Sequence, residues 1–322
     1  MAVVSASWRD LAPHKPLAEL DHRYVARGDQ SGGEYLARLV EASPQNIILV
    51  GPAGIGKSTE LAQAAGKLGR KARLVRMDRL LNLQQATRGD LMKRLGDHLL
   101  GGEHESYSSL EDYLLGVLRN IEQRLLLLDG LEKAPEEVAR GFVQFLFDHP
   151  EDIQSVVVLP PTLAMGPMSY PIASQSRVVP MRVQNEPIPF LLAVLERRLS
   201  TGDWPEGFRT GARGVAYLSG GVARVFLQII LNAGTNAALA GREWPNDEDF
   251  YTATKTQADS LVMLLREGDR EVLRAAKALE NAGIEIPLER RLRLLSHGLL
   301  LEIELSGKVM VVPIPLLQMV IT

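Results

Sequence analysis

The clearest chemistry in this chain lies in Gly51-Pro52-Ala53-Gly54-Ile55-Gly56-Lys57-Ser58-Thr59. Gly51, Gly56, Lys57 and Ser58 stand at the fixed positions of G-x-x-x-x-G-K-[ST], the pattern of a phosphate-binding loop. Glycines 51, 54 and 56 let the backbone approach a ligand closely. The loop's N–H groups, and the N-terminus of a helix after it, would then face a di- or triphosphate. On that reading Lys57 reaches the β- and γ-phosphates and Ser58 is a ligand of Mg²⁺. The motif points to a nucleoside triphosphate and leaves open what its hydrolysis drives.

Such a site needs an acid for the metal and a base for water. Arg124-Leu-Leu-Leu-Leu-Asp129 is a leucine run ending in a carboxylate. It has the pattern of a buried parallel strand, whose C-terminal end is where open α/β sheets bind ligands. Asp129 is the expected acidic partner of Ser58, acting through the water shell of Mg²⁺. Gly130 follows, where many ATPases of this type place a catalytic glutamate. Glu132 is the best-placed carboxylate to orient and polarise the attacking water; the alternative is a surface acid opening the next helix. Thr162 is the nearest polar group beyond the strand Gln154–Leu159 that could meet a γ-phosphate, and the alternative is a loop threonine. Arg224 sits in the first turn of a helix, where a cation is unfavourable. A bound phosphate would supply its partner; so would solvent or an ion pair.

The elements that must position these residues follow from pattern. Asn46–Val50 is a short apolar run before the loop, and Lys57–Leu68 carries alanines and leucines at helical spacing after it, giving strand, loop and helix. Further strands are expected at Ala72–Met77, Arg124–Asp129, Gln154–Leu159 and Arg177–Met181. The last belongs at an edge, because Pro180 cannot donate to a ladder. Capping boxes at Ser31/Glu34 and Ser108/Glu111 predict helices to about Ala42 and over Leu110–Ile121. Leu80–Leu100 and Pro135–Phe147 are also helical in pattern. The alternation implies a five-stranded parallel sheet with right-handed crossovers.

From Glu186 the pattern is helical, broken at Gly202–Gly207. A helix over Leu288–His297 and a hairpin of Leu299–Leu305 with Lys308–Val312, turning at Ser306-Gly307, suggest a winged-helix-like tail. The expected division is an α/β P-loop domain at 1–182, a helical lid at 183–266 and a winged-helix-like module at 267–322. Arg290, Arg291 and Arg293 alternate with Leu292, Leu294 and Leu295, so a solvated basic side is favoured over a recognition face. The apolar end Met310–Ile321 packs on its own domain or on another chain.

Composition narrows the class. The 322 residues include 46% hydrophobic and 23% charged side chains, ordinary globular values. A net charge of −3 gives no global reason for nucleic-acid binding. The absence of cysteine excludes disulfides and thiolate catalysis. His14, His22, His98, His104, His149 and His297 show no metal-ligand spacing. No signal peptide or membrane-span pattern stands out, so a cytoplasmic location is expected.

Taken in order, the phosphate loop, L-L-L-L-D-G-L-E, L-S-G-G-V-A-R and the hairpin tail resemble the STAND and origin-recognition-like branch of the AAA+ ATPases. The D-G-L-E stretch is similar to the NACHT variant, with a small residue after the metal aspartate. G-G-V-A-R resembles the family's second sensor, with Ala223 in place of its proline. The resemblance implies that Arg224 contacts the γ-phosphate and couples lid to nucleotide. It also implies that Tyr24 and Val25, in Arg23-Tyr-Val-Ala-Arg27, pack on adenine. Arg177 is the candidate for a trans-acting arginine finger. ATP and Mg²⁺ are the implied cofactors, with homo-oligomerisation and a separate effector protein as partners. A regulatory switch acting on a protein is favoured; a DNA-associated loader or remodeller and a non-hydrolysing scaffold are the alternatives.

Overall fold

The computed structural model describes residues 8, 11–29, 31–102, 107–199, 204–278, 286–305 and 308–320. Five strands, β1 (Asn46–Val50), β2 (Ala72–Arg76), β3 (Leu125–Asp129), β4 (Gln154–Leu159) and β5 (Ser176–Pro180), form one sheet in the order β2-β3-β4-β1-β5. Every neighbouring pair is parallel. The order explains the compositions. Strands β1 and β3 lie inside the sheet and are buried throughout, hence N-I-I-L-V and L-L-L-L-D. The edge strands β2 and β5 are only partly covered and tolerate Arg73, Arg76, Arg177 and Pro180. Pro180 does stand on the outermost strand.

Successive side chains point to opposite faces of the sheet, and two apolar cores result. Ile47, Leu49, Leu125, Leu127, Val156 and Val158 enter one. Ile48, Val50, Leu126, Leu128, Val157 and Leu159 enter the other. The second core is closed by α3 (Arg88–Leu100), α4 (Leu110–Asn120) and α5 (Glu136–Phe147), with the short α6 (Pro161–Met165) and α7 (Tyr170–Ala173) beside them. The first is covered by α1 (Gly33–Ala42) and α2 (Lys57–Leu68). It continues without a break through α8 (Pro187–Leu199), α9 (Glu206–Leu218), α10 (Ala223–Leu239), α11 (Asp247–Val262), α12 (Asp269–Ala278) and α13 (Leu288–Ser296). The antiparallel hairpin of β6 (Leu300–Leu305) and β7 (Lys308–Pro313) completes it.

The apolar C-terminal segment packs on its own chain. Ile314, Leu316 and Leu317 are fully buried in that first core. Among the described residues no helix is long and apolar enough to cross a membrane.

Three local expectations are corrected. Ser31 does not cap α1; its hydroxyl donates to Asp29 Oδ1 at 2.6 Å. The first-turn donor Gly33 N–H is taken instead by Glu60 Oε2 at 2.7 Å. The cap of α4 sits one residue later and is a single one, with Ser109 Oγ accepting from Asp112 N–H at 3.0 Å, while Glu111 pairs with Arg88. Helix α3 starts at Arg88, not Leu80, because Thr87 and Asp90 form a reciprocal capping box; Leu80 and Leu81 pack irregularly against the second core. Ser306-Gly307, Gly202, Ile284 and the segment holding His104 lie outside the described residues.

Trp8 ties the N-terminal arm to the helical region. It stacks edge-on against Phe208 at 5.9 Å and Trp244 at 5.8 Å, over Gly234 of α10. A Cβ at Gly234 would lie 2.4 Å from Trp8 Cδ2. Gly234→Ala should therefore destabilise by about 1–3 kcal/mol through overpacking, outweighing the roughly 1 kcal/mol that alanine gains in a helix. Urea denaturation followed by tryptophan fluorescence checks this, and a stabilised variant would show that Trp8 is not seated there.

Candidate nucleotide-binding site

Residues 51–56 leave the C-terminal end of β1 and run into α2. Gly54 (φ +81°) and Gly56 (φ +114°) take left-handed conformations that side chains disfavour. Lys57 is buried, and its Nζ donates to the carbonyls of Gly51 (2.8 Å) and Pro52 (2.9 Å). Burial lowers its pKa to about 8, with the charge of Arg224 acting the same way and those of Glu132 and Asp129 opposing.

The expected metal pair is in direct contact. Ser58 Oγ donates to Asp129 Oδ1 at 2.9 Å. Asp129 is 5% exposed. Burial pushes its carboxyl above the usual range, and the Ser58 bond and Arg76 pull back. Two hard oxygen donors, one anionic, suit Mg²⁺.

The structure also explains why no acid follows Asp129. Gly130 has φ +90°, and a Cβ there would stand 3.0 Å from the Asp78 carboxylate. A glutamate at 130 would be strained and crowded, so the acid comes from the tight turn Leu131–Lys133. Lys133 of that turn is bonded to Asp78, and Glu132 lines the cavity. Although Glu132 as a whole is exposed, its carboxyl is pushed up by desolvation in the cavity and then by the charge of Asp129.

That cavity, of about 280 Å³, joins Gly51, Lys57, Ser58 and Glu132 to Arg224. Helix α10 approaches through a backbone bond, Arg224 N–H to Gly54 O at 3.1 Å. Gly54 has no room for a side chain, since a Cβ would lie 2.6 Å from Arg224 Cβ. The Arg224 side chain is exposed and makes no hydrogen bond or ion pair among the described residues. A larger cavity of about 550 Å³ follows the β5 edge past Tyr35, Arg177 and Arg182. It holds no phosphate-loop residue, so the chemistry selects the smaller one.

Other expected residues lie elsewhere. Tyr24 and Val25 do not line the cavity beside the phosphate-type loop. The Tyr24 hydroxyl donates to Glu60 Oε2 at 2.7 Å, and its pKa is raised by burial and by that carboxylate. Pro13, His14, Lys15 and Pro16 form the arm's share of the cavity wall instead, with Arg198 and Leu227. Arg177 is exposed near the start of β5, 3.4 Å from the Tyr35 hydroxyl. Thr162 lies behind Pro160, its N–H donating to Ser296 Oγ at 3.3 Å.

Ser296 was not visible as a site residue. It ends α13, lines the cavity, and accepts the Ala53 N–H on its carbonyl at 3.0 Å. Nothing local in L-L-S-H-G-L marks it. The S-H-G turn only signals a helix end. Away from the site, at the opposite end of β4, His149, Glu151 and Asp152 bring ligand-type atoms within 4.8 Å of one another, a cluster that histidine spacing alone did not reveal. Asp152 is engaged by Arg119 at 3.0 Å.

A phosphate-type loop on a parallel sheet of this order, with helices on both faces, defines the P-loop α/β class. No family model and no curated protein matches the chain. Solved structures do. The Aeropyrum pernix ORC1 protein, solved in complex with DNA, superposes with a TM-score of 0.57 at 16% identity, over 96% of this chain and 93% of that one. Drosophila ORC bound to DNA gives 0.55 at 16% identity, over 97% and 88%. The Aeropyrum pernix ORC2 protein, in ADPNP–ADP complexes, gives 0.52 at 15% identity, over 92% and 93%. The fold is that of the AAA+ P-loop ATPases.

Glu60, on the first turn of α2, is buried and its pKa rises to about 7 through desolvation, opposed by Tyr24, Gly33 and Arg27 and aided by Asp29. Because the folded value exceeds the ordinary 4.5, the folded protein holds an extra proton between those pH values. The stability this confers is full below pH 4.5 and lost as pH rises through 7. Glu60→Gln keeps an acceptor oxygen but does not titrate. Unfolding free energies in urea at pH 5 and 8.5 should shift against the wild type, relative to the variant, by about 3 kcal/mol. A pH-independent difference would mean that Glu60 titrates as it does in the unfolded chain.

Proposed function

We propose that this chain binds and hydrolyses ATP as a DNA-associated ATPase of AAA+ architecture. The observation that carries the reading is the convergence of Lys57, Ser58, Glu132 and Arg224 on one cavity at the C-terminal edge of the sheet, with Asp129 bonded to Ser58. In this reading Lys57 turns from its own loop carbonyls to the β- and γ-phosphates. A phosphate beside it restores the proton affinity that burial removes. Ser58 and Asp129 would hold Mg²⁺, which would supply neutralisation of the phosphate charge. Glu132 orients water and accepts its proton, and its raised pKa moves it toward the range of an effective base. Arg224 meets the γ-phosphate and reports it to α10, whose Arg224 N–H already rests on the Gly54 carbonyl. The working division is the catalytic domain at 1–182, a lid at 183–266 and a winged-helix-like module at 267–322, assembling as a homo-oligomer.

The sequence alone favoured a switch acting on a protein partner. The solved structures shift the balance toward DNA, since ORC1 and the Drosophila complex were determined with it. One observation favours the protein-partner reading. Arg293 and Arg290 of α13 are engaged by Asp269, and Arg291 by Glu302.

Phosphate release measured with and without duplex DNA, over a salt series, separates the two. Stimulation by DNA with binding that weakens steeply in salt supports the DNA reading. Unchanged turnover, with ATP-dependent assembly by light scattering, supports the protein switch. Lys57→Ala should abolish ATP binding, and normal affinity with normal turnover would sink the ATPase assignment. Glu132→Gln should retain ATP binding and lose roughly 10²- to 10⁴-fold in turnover; full activity would remove Glu132 as the base.

A further inference from the structure

Helix α8 buries Leu191, Leu195 and Leu199 in the first core, as its spacing dictates. Arg198 stands beside them and is 8% exposed. Taking a cation out of water is costly unless it is paired and its donors are used. Here they are not. Its guanidinium carries five donors in a planar fork. The one bond it makes among the described residues is from Nη1 to the Leu11 carbonyl at 3.0 Å. Nε is buried with no partner. The nearby carboxylate of Asp21 is already held by Arg23, through Nε at 3.0 Å and Nη2 at 2.8 Å.

Arg198 lines the nucleotide cavity together with Pro13, Pro16 and Leu227. Those neighbours come from the arm and from the turn of α10 beyond Arg224, so this part of the wall is built by segments other than the phosphate loop. In the ATP reading, a nucleotide with its phosphates on residues 51–59 extends from the loop toward this wall.

We propose that Arg198 contacts the nucleoside, donating from its unused N–H groups to an uncharged acceptor on the base or sugar, and so sets affinity for a nucleotide over a bare polyphosphate. This rests on the ATP-binding reading above. The arrangement gives a cavity with separate duties, an anion site at the loop and a planar hydrogen-bond donor at the arm. It also links ligand to arm, because the same guanidinium holds Leu11.

The test uses the full chain, titrated calorimetrically with ATP and with inorganic tripolyphosphate. Arg198→Lys keeps a cation able to reach the Leu11 carbonyl but loses the planar fork. Arg198→Met removes every donor and keeps the apolar stem. Both should bind ATP about 10- to 100-fold more weakly, the loss expected for a hydrogen bond from a charged group, with tripolyphosphate affinity unchanged. If Arg198→Met fails to fold, Arg198→Lys decides. Equal loss for both ligands, or loss for neither, overturns the assignment. Wild-type protein that binds neither ligand overturns the ATP reading itself and the role of Arg198 with it. That outcome is distinct from a wild type that binds both while its Arg198 variants match it.

Discussion

The polar backbone of residues 51–56 is the constraint around which the chain is arranged. A tight, glycine-rich turn cannot satisfy all of its own N–H and C=O groups, and buried ones need partners. Each partner comes from a different part of the molecule. Lys57 serves the carbonyls of Gly51 and Pro52. The arm serves Ile55 through Arg27 at 3.4 Å. Helix α10 serves Gly54 through the Arg224 N–H, and the tail serves Ala53 through the Ser296 carbonyl. A displacement of this loop would therefore be felt by the arm, by α10 and by the tail together.

The glycines at 220 and 221 make that convergence possible. Both have positive φ, +58° and +85°. A Cβ on Gly220 would lie 2.6 Å from Leu301 of the hairpin, and one on Gly221 would lie 2.5 Å from Val183 at the exit of β5. The turn is thus held between the sheet and the tail while it delivers Val222 and Arg224 to the loop. The neighbouring bond from Val183 N–H to Glu302 O, at 3.1 Å, ties the hairpin to the same point. Backbone geometry here sets where Arg224 stands, and a larger residue at either position would displace the helix that carries it.

Much of this was legible in the sequence wherever one local pattern decides the outcome. The continuous apolar runs of β1 and β3 announced interior strands, Pro180 announced an edge, and G-x-x-x-x-G-K-S announced the loop. Asp129 was placed because a strand's length fixes where its last side chain emerges. What escaped depends on contacts between distant segments. Ser31 lost its capping role to Asp29, because Glu60, 27 residues on from Gly33, supplies the acceptor. Ser296 and Arg198 reach the cavity only because the tail and α8 fold back on the sheet, and no spacing rule carries that information. Tyr24 shows the same limit, since an aromatic residue near an adenine site and one bonded to a buried glutamate read alike in sequence.

The tail arginines show how far the geometry constrains a nucleic-acid role. Asp269 is fully buried, and a lone buried carboxylate is costly enough that a cation must accompany it. Arg293 bonds both its oxygens at 2.5 Å, Arg290 approaches at 3.8 Å, and the N–H of Arg266 donates at 2.7 Å. Taking Arg293 to a phosphate would strand that carboxylate, so α13 as it stands commits Arg293 to its own chain, while Arg290 and Arg291 keep side chains 39% and 40% exposed. Its C-terminus is also committed, to Ala53 and Thr162. Contact with DNA through this helix would need its release from the phosphate loop, and the two bonds of Ser296 are what such a release must break. The tail and the phosphate loop are thus joined directly, through the Ser296 carbonyl, while its hydroxyl is joined to Thr162.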